Sequence, residues 1–186
     1  MPLDPRLREL INSGFVLPVG KVSVDELRKI FREISKTDQV IEVKKVEDIE
    51  IPGSQAKIRA RVYYPKIKDP YGILVYYHGG GFVIGDIETY DAVCRALTNS
   101  SNCLVFSIEY RLAPEYKFPA AIIDSFDALK WIYENKDKFK GMKGVAVAGD
   151  SAGGNISAVM AILARANKID LKYQILIYPT VGIDLT

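Results

Sequence analysis

Ser151 has the surroundings best suited to chemistry. It lies in Gly149-Asp150-Ser151-Ala152-Gly153-Gly154, a G-x-S-x-G pattern between the apolar run 145–148 and a helical pattern. Glycines on both sides permit a sharp strand-to-helix turn, which lifts the serine hydroxyl above a sheet in a strained conformation. The following helix aims its N-terminus at the same spot, where its dipole favours developing negative charge. A serine held this way is a candidate nucleophile for acyl transfer. A second loop, His78-Gly79-Gly80-Gly81-Phe82, directly follows the apolar run 73–77. Three consecutive glycines cost backbone entropy. They make sense where backbone N–H groups approach a ligand, although the triplet alone is also read as a plain flexible turn. Taken together, the loops supply the parts of an oxyanion hole. Ala152 offers the N–H after the nucleophile, and Gly79 and Gly80 sit where the remaining donors belong.

These loops need a frame, and the hydropathy pattern supplies one. Ile73-Leu74-Val75-Tyr76-Tyr77, Leu104-Val105-Phe106, Val145-Ala146-Val147-Ala148 and Ile175-Leu176-Ile177-Tyr178 are short apolar runs bounded by turn residues. Such runs suit strands buried on both faces. Between them lie helical stripes: Tyr90, Val93 and Leu97; Ile122, Phe126, Leu129 and Ile132; Ile156, Val159, Met160 and Leu163. Strand alternating with helix predicts an α/β fold with a mostly parallel sheet and helices on both faces. Residues 40–51 read as a strand whose alternation slips near Lys44-Lys45. Pro52-Gly53-Ser54 turns into a cleanly alternating strand over 56–64, giving an antiparallel hairpin with one wet face. The first 35 residues read as helical. Ser23 and Glu26 have capping-box spacing, ahead of a stripe of Val24, Leu27, Ile30, Phe31 and Ile34.

Composition removes other classes. The chain has 186 residues, 25 basic and 23 acidic, for a net charge of +2. That balance, without a clustered basic face, predicts no nucleic-acid partner. Lys44-Lys45 and Lys136-Asp137-Lys138 read as solvated faces. No apolar run approaches a membrane span, and the start lacks the apolar core of a signal peptide. Cys94 and Cys103 have no metal-like spacing and read as reduced thiols, predicting a cytoplasmic protein. Few glutamines beside plentiful lysine, glutamate and isoleucine hint at a thermophilic source. His78 is the single histidine, so a mechanism needing a catalytic histidine must use it or borrow one.

On these motifs the chain resembles the hormone-sensitive-lipase-like carboxylesterases of the α/β-hydrolase superfamily. The shared marks are His78-Gly79-Gly80-Gly81, Tyr110-Arg111-Leu112-Ala113-Pro114-Glu115, Phe118-Pro119-Ala120-Ala121, Gly149-Asp150-Ser151-Ala152-Gly153-Gly154 and Tyr178-Pro179. The resemblance implies Ser151 as nucleophile, with Gly79, Gly80 and Ala152 N–H groups as the oxyanion hole. It implies a small ester with a short to medium acyl chain as substrate, and no metal or cofactor. Residues 1–38 are expected as cap helices and 39–186 as an incomplete hydrolase core, truncated after about the sixth strand. His78 belongs to the oxyanion loop in this pattern and is not the base. Glu109, Arg111 and Glu115 are expected to form ion pairs or anchor loops, and Asp150 to be structural.

The chain departs from the pattern after the nucleophile. The triad order is Ser, then Asp or Glu, then His, and no histidine follows Ser151. Asp184 does not stand in the triad-acid context. Loss of a triad serine or histidine costs about 10⁶ in turnover and leaves roughly 10³–10⁴ over water, so the chain alone is expected to be nearly inactive. The strand at 173–178 is expected as an open edge able to self-associate or to pair with a second chain. Two other readings stand beside this one: half of a split hydrolase completed by a partner chain, and a non-catalytic scaffold that keeps the elbow.

Overall fold

The computed structural model describes residues 4–14, 16–37, 40–69, 71–140 and 144–182. Asp184 lies outside them. Six strands form one sheet in the order β1-β2-β4-β3-β5-β6. They are β1 Lys45–Pro52, β2 Lys57–Tyr64, β3 Ile73–Tyr77, β4 Leu104–Glu109, β5 Val145–Asp150 and β6 Leu171–Ile177. The helices are α1 Pro5–Asn12, α2 Val24–Ile34, α3 Asp91–Ser101, α4 Ala120–Glu134 and α5 Ala152–Ala166. The β1–β2 and β2–β4 pairs are antiparallel, while β4, β3, β5 and β6 run parallel.

Strand pleating divides the apolar runs between two cores. Ile73, Val75 and Tyr77 pack with Phe106, Val147 and the inner residues of α4 and α5. Leu74 and Tyr76 point the other way, toward Val105, Ala148 and Cys94 of α3. Every residue of β3 is buried. A large apolar side chain buried this completely contributes about 1.5–3 kcal/mol.

The helical stripes are rotated slightly from expectation. In α3 the inward pair is Cys94 and Thr98, and Val93 is exposed. In α4 the small residues Ala121, Ser125 and Ala128 face inward beside Leu129 and Ile132, because small residues let a helix sit close to a sheet. In α2 only Leu27 is buried, and Ile34 is 48 % exposed. Ser23 caps α2, its Oγ accepting the Glu26 N–H at 3.2 Å.

One strand boundary also differs. The strand expected from residue 40 begins at Lys45. Before it, Arg95 and Asn99 of α3 donate to the carbonyls of Ile41 and Glu42, so helix side chains take the place of a neighbouring strand. The last strand is an edge of the sheet among the described residues, as expected, and its apolar run is therefore not buried on both faces. Tyr173 is 75 % and Ile175 47 % exposed there.

The strand order places the functional loops. From β3 the chain passes through α3 to β4 on one side, then crosses to β5 on the other side of β3. Where strand order reverses, the crevice beyond the carboxyl ends of the strands is open to ligands. The loops after β3 and β5 both end there.

Candidate active site

Ser151 occupies the turn between β5 and α5 with φ 50° and ψ −115°. That left-handed backbone is strained for a residue bearing Cβ. Its surroundings hold it there. The Ser151 N–H donates to Ile177 O at 3.0 Å, and Thr180 N–H donates to Ser151 O at 3.2 Å. Gly153 lets α5 approach closely, since a Cβ there would meet His78 O at 2.6 Å and press on Tyr77 O. The N-terminal end of α5 is thereby set against the carboxyl end of β3, as the dipole argument requires.

Asp150 ties the elbow to the glycine loop. Its Oδ1 accepts the Tyr76 hydroxyl at 2.7 Å and the Gly79 N–H at 2.9 Å, and its Oδ2 accepts the Tyr90 hydroxyl at 3.0 Å. Burial raises the pKa of both tyrosines well above the usual phenol value, and they remain neutral donors. This geometry corrects one expected donor: the Gly79 N–H is already engaged. Among the described residues, neither the Gly80 nor the Gly81 N–H is given to a protein acceptor. Gly80 has φ +112°, and a Cβ there would strike the Ile84 backbone. This is a conformation and a contact that only glycine tolerates.

His78 is fully buried beneath the loop. Its ring stacks on Tyr110 with centroids 4.3 Å apart, and Nδ1 lies 2.7 Å from Gly79 O. A carbonyl can only accept, so Nδ1 carries the proton. Nε2 has no partner among the described residues. Burial lowers the pKa of His78 and keeps it neutral. None of its contacts is with Ser151. The Tyr110 hydroxyl donates to His78 O at 2.7 Å and fixes the start of the loop.

The motif after β4 is built from ion pairs. Arg111 grips Asp124 of α4 through Nε and Nη2, at 2.8–3.1 Å, and its N–H donates to the same carboxylate at 2.9 Å. Glu115 pairs with Arg28 of α2, and Glu109 with Arg59. Arg111 and Glu115 also border cavities, so the anchoring and lining roles coincide. Beside the elbow lies an apolar cavity of about 600 Å³, walled by Phe82, Ala113, Phe118, Ile122, Val159 and Leu163. Gly81 and Asn155 open it toward the elbow. Its volume falls within the roughly 300–1,000 Å³ of small-molecule sites. Sequence patterning did not single out Tyr76 and Tyr90, which hold Asp150. One reads as strand apolarity and the other as a helix stripe, and neither shows its hydroxyl's destination.

A crossover at β3, a strained serine between β5 and α5, and a glycine loop facing it define an α/β-hydrolase. Comparison with known proteins agrees. A family model described as alpha/beta hydrolase fold matches residues 74–186. The arylesterase of Saccharolobus solfataricus is 37 % identical, over 100 % of this chain and 62 % of its own length. The carboxylesterase NlhH of Mycobacterium tuberculosis is 39 % identical, over 99 % of this chain and 59 % of its own. The solved structure of a hyperthermophilic esterase from Pyrobaculum calidifontis superposes with a TM-score of 0.89 at 45 % identity. It aligns over 100 % of this chain and 62 % of its own. The chain belongs to the α/β-hydrolase fold family, in the hormone-sensitive-lipase-like branch that its motifs resemble. It spans about 60 % of the length of these relatives. Among the described residues no helix is long and apolar enough to cross a membrane.

Proposed function

We propose that this chain carries the nucleophile and the oxyanion donors of a carboxylic ester hydrolase. Ser151 Oγ attacks the ester carbonyl. The Gly80, Gly81 and Ala152 N–H groups take the charge that develops on the carbonyl oxygen. Collapse of the tetrahedral intermediate expels the alcohol and leaves an acyl-enzyme, which water then cleaves. One such donor contributes about 10²–10³ in turnover. The observation carrying this reading is the strained Ser151 beside a glycine loop whose second and third amides are not given to protein acceptors. The cavity beside Phe82 suits the hydrocarbon of a small ester with a short to medium acyl chain. Residues 1–38 act as part of a cap over the core at 39–186. Free Cys94 and Cys103 favour a reducing, cytoplasmic setting.

His78 is sealed away from Ser151, so on this reading the chain alone acylates slowly and turns over poorly. An acid and a histidine are supplied from outside the 186 residues. The edge of β6, with no strand beyond it among the described residues, supports pairing there, either with another copy or with a chain bearing the acid–base pair. Incubation with p-nitrophenyl butyrate, followed by intact-mass and peptide analysis, tests the assignment. A butyryl adduct on Ser151 that is lost in Ser151→Ala is expected, with steady-state rates little different between the two. No adduct under any loading, or an adduct elsewhere that survives the substitution, rejects Ser151 as the nucleophile.

A further inference from the structure

Arg28 of α2 makes four hydrogen bonds to three residues that are remote in sequence. Its Nε donates to Val83 O at 2.8 Å and its Nη2 to Ala113 O at 3.0 Å. Nη1 and Nη2 also form a two-pronged pair with Glu115, at 2.8 Å each. The two carbonyls belong to loops already joined by Ala113 N–H to Phe82 O at 2.8 Å. One turn further along α2, Arg32 Nε donates to Asp86 at 2.7 Å, and Phe31 packs on Tyr90 between them. Tyr90 in turn donates to Asp150. Thus one face of α2 meets the glycine-loop segment at Val83, Asp86 and Tyr90.

Phe31 belongs to the apolar stripe of α2, but the hydrogen bonds to these loops come from the arginines beside it. A guanidinium presents donors in a fixed fork, so one side chain can satisfy several acceptors whose relative positions are then fixed. Charge-assisted bonds of this kind contribute more than neutral ones, and the Arg28 side chain is only 19 % exposed.

We infer that Arg28 is a positioning residue: by clamping the Val83 and Ala113 carbonyls together with Glu115, it couples the seating of α2 to the conformation of the loop carrying Gly80 and Gly81. The functional weight of this coupling rests on the oxyanion reading above. The structural coupling is measured without any catalysis, so either can fail alone.

Hydrogen exchange on the full chain reads the clamp directly. The Val83 and Ile84 amides donate to Gly80 O and the Ala113 amide to Phe82 O, so they report the order of both loops. In Arg28→Met, protection over residues 82–86 and 112–116 is expected to fall about tenfold, while β3, β4 and β5 keep theirs. Glu115→Gln should lose less, because the two carbonyl bonds remain. In Arg28→Ala, tens of millimolar guanidinium should restore loop protection where sodium chloride at equal ionic strength does not. Where Arg28→Met does not fold, Arg28→Lys keeps stem and charge and should show the same local loss, since one ammonium cannot reach all three partners. Unchanged loop protection, a loss spread evenly over the sheet, or equal rescue by sodium chloride overturns the clamp.

Discussion

Asp150 accepts two tyrosine hydroxyls and one backbone N–H, and of these the Tyr76 and Gly79 bonds are buried and the Tyr90 bond half-buried. Removing it strands two buried donors, the Tyr76 hydroxyl and the Gly79 N–H, and each unmet buried group costs about 1–3 kcal/mol. Asp150→Ala should therefore lower stability by about 3 kcal/mol, read as a shift in urea midpoint at constant slope. Asp150→Asn keeps an acceptor for Tyr76 and Gly79 and should cost about 1 kcal/mol. Equal midpoints for parent and Asp150→Ala would remove the bridge from the account. At this scale the sequence was informative about residue type and less so about use. Ser151 and Ala152 stand where the motif put them. The triplet pattern could not show which glycine amides are spent, because that depends on a carboxylate 71 positions away.

Among the elements, the buried strands were the most legible, since β3, β4 and β5 bury side chains on both faces and their apolar runs say so directly. The edge strand carries the same kind of run but lies exposed, and composition alone does not distinguish the two. In α2 the apolar stripe overstated burial, and the polar pair Arg28 and Arg32, four residues apart, joins Leu27 and Phe31 in seating the helix. The β1–β2 hairpin has its own polar attachment. Asp48 faces Arg61 across the ladder, and Arg59 and Arg61 both reach Glu88 before α3. Hydrogen bonding from Arg61, then Arg59, holds the Asp48 carboxyl at about 2. Its folded pKa lies below the unfolded value of about 3.9, so this contribution is complete above about pH 4 and is lost as pH falls toward 2. Because Asp48 is 40 % exposed, solvent screens the gain and it stays small. Asp48→Asn should flatten the acid limb of stability between pH 4 and 2, measured by thermal unfolding at fixed ionic strength. An unchanged limb would show that the hairpin pairs contribute nothing.

Across the whole molecule, the sheet is protected at one end and open at the other. The β1 end carries a belt of charge, as edge strands commonly do. The β6 end presents Tyr173 and Ile175 with no neighbouring strand among the described residues. Self-association through residues 173–178 follows if that edge recruits a second copy. Sedimentation velocity over a concentration series should show a rising dimer fraction, and Ile175→Lys should return the chain to monomer. A single monomeric species at every concentration would leave pairing with a different chain as the remaining form of the idea.

The Asp150 bridge has a consequence for how this scaffold can change. Ser151, the Gly80, Gly81 and Ala152 N–H groups proposed as anion donors, and the two tyrosines that hold Asp150 all fall within residues 76–152. Their mutual alignment is thus inherited as one cassette. Exchanging elements that do not touch the cassette leaves that alignment in place, whereas α2 is tied to it through Arg28 and Arg32. Selection or a designer can then retune specificity at the periphery without solving the central geometry again.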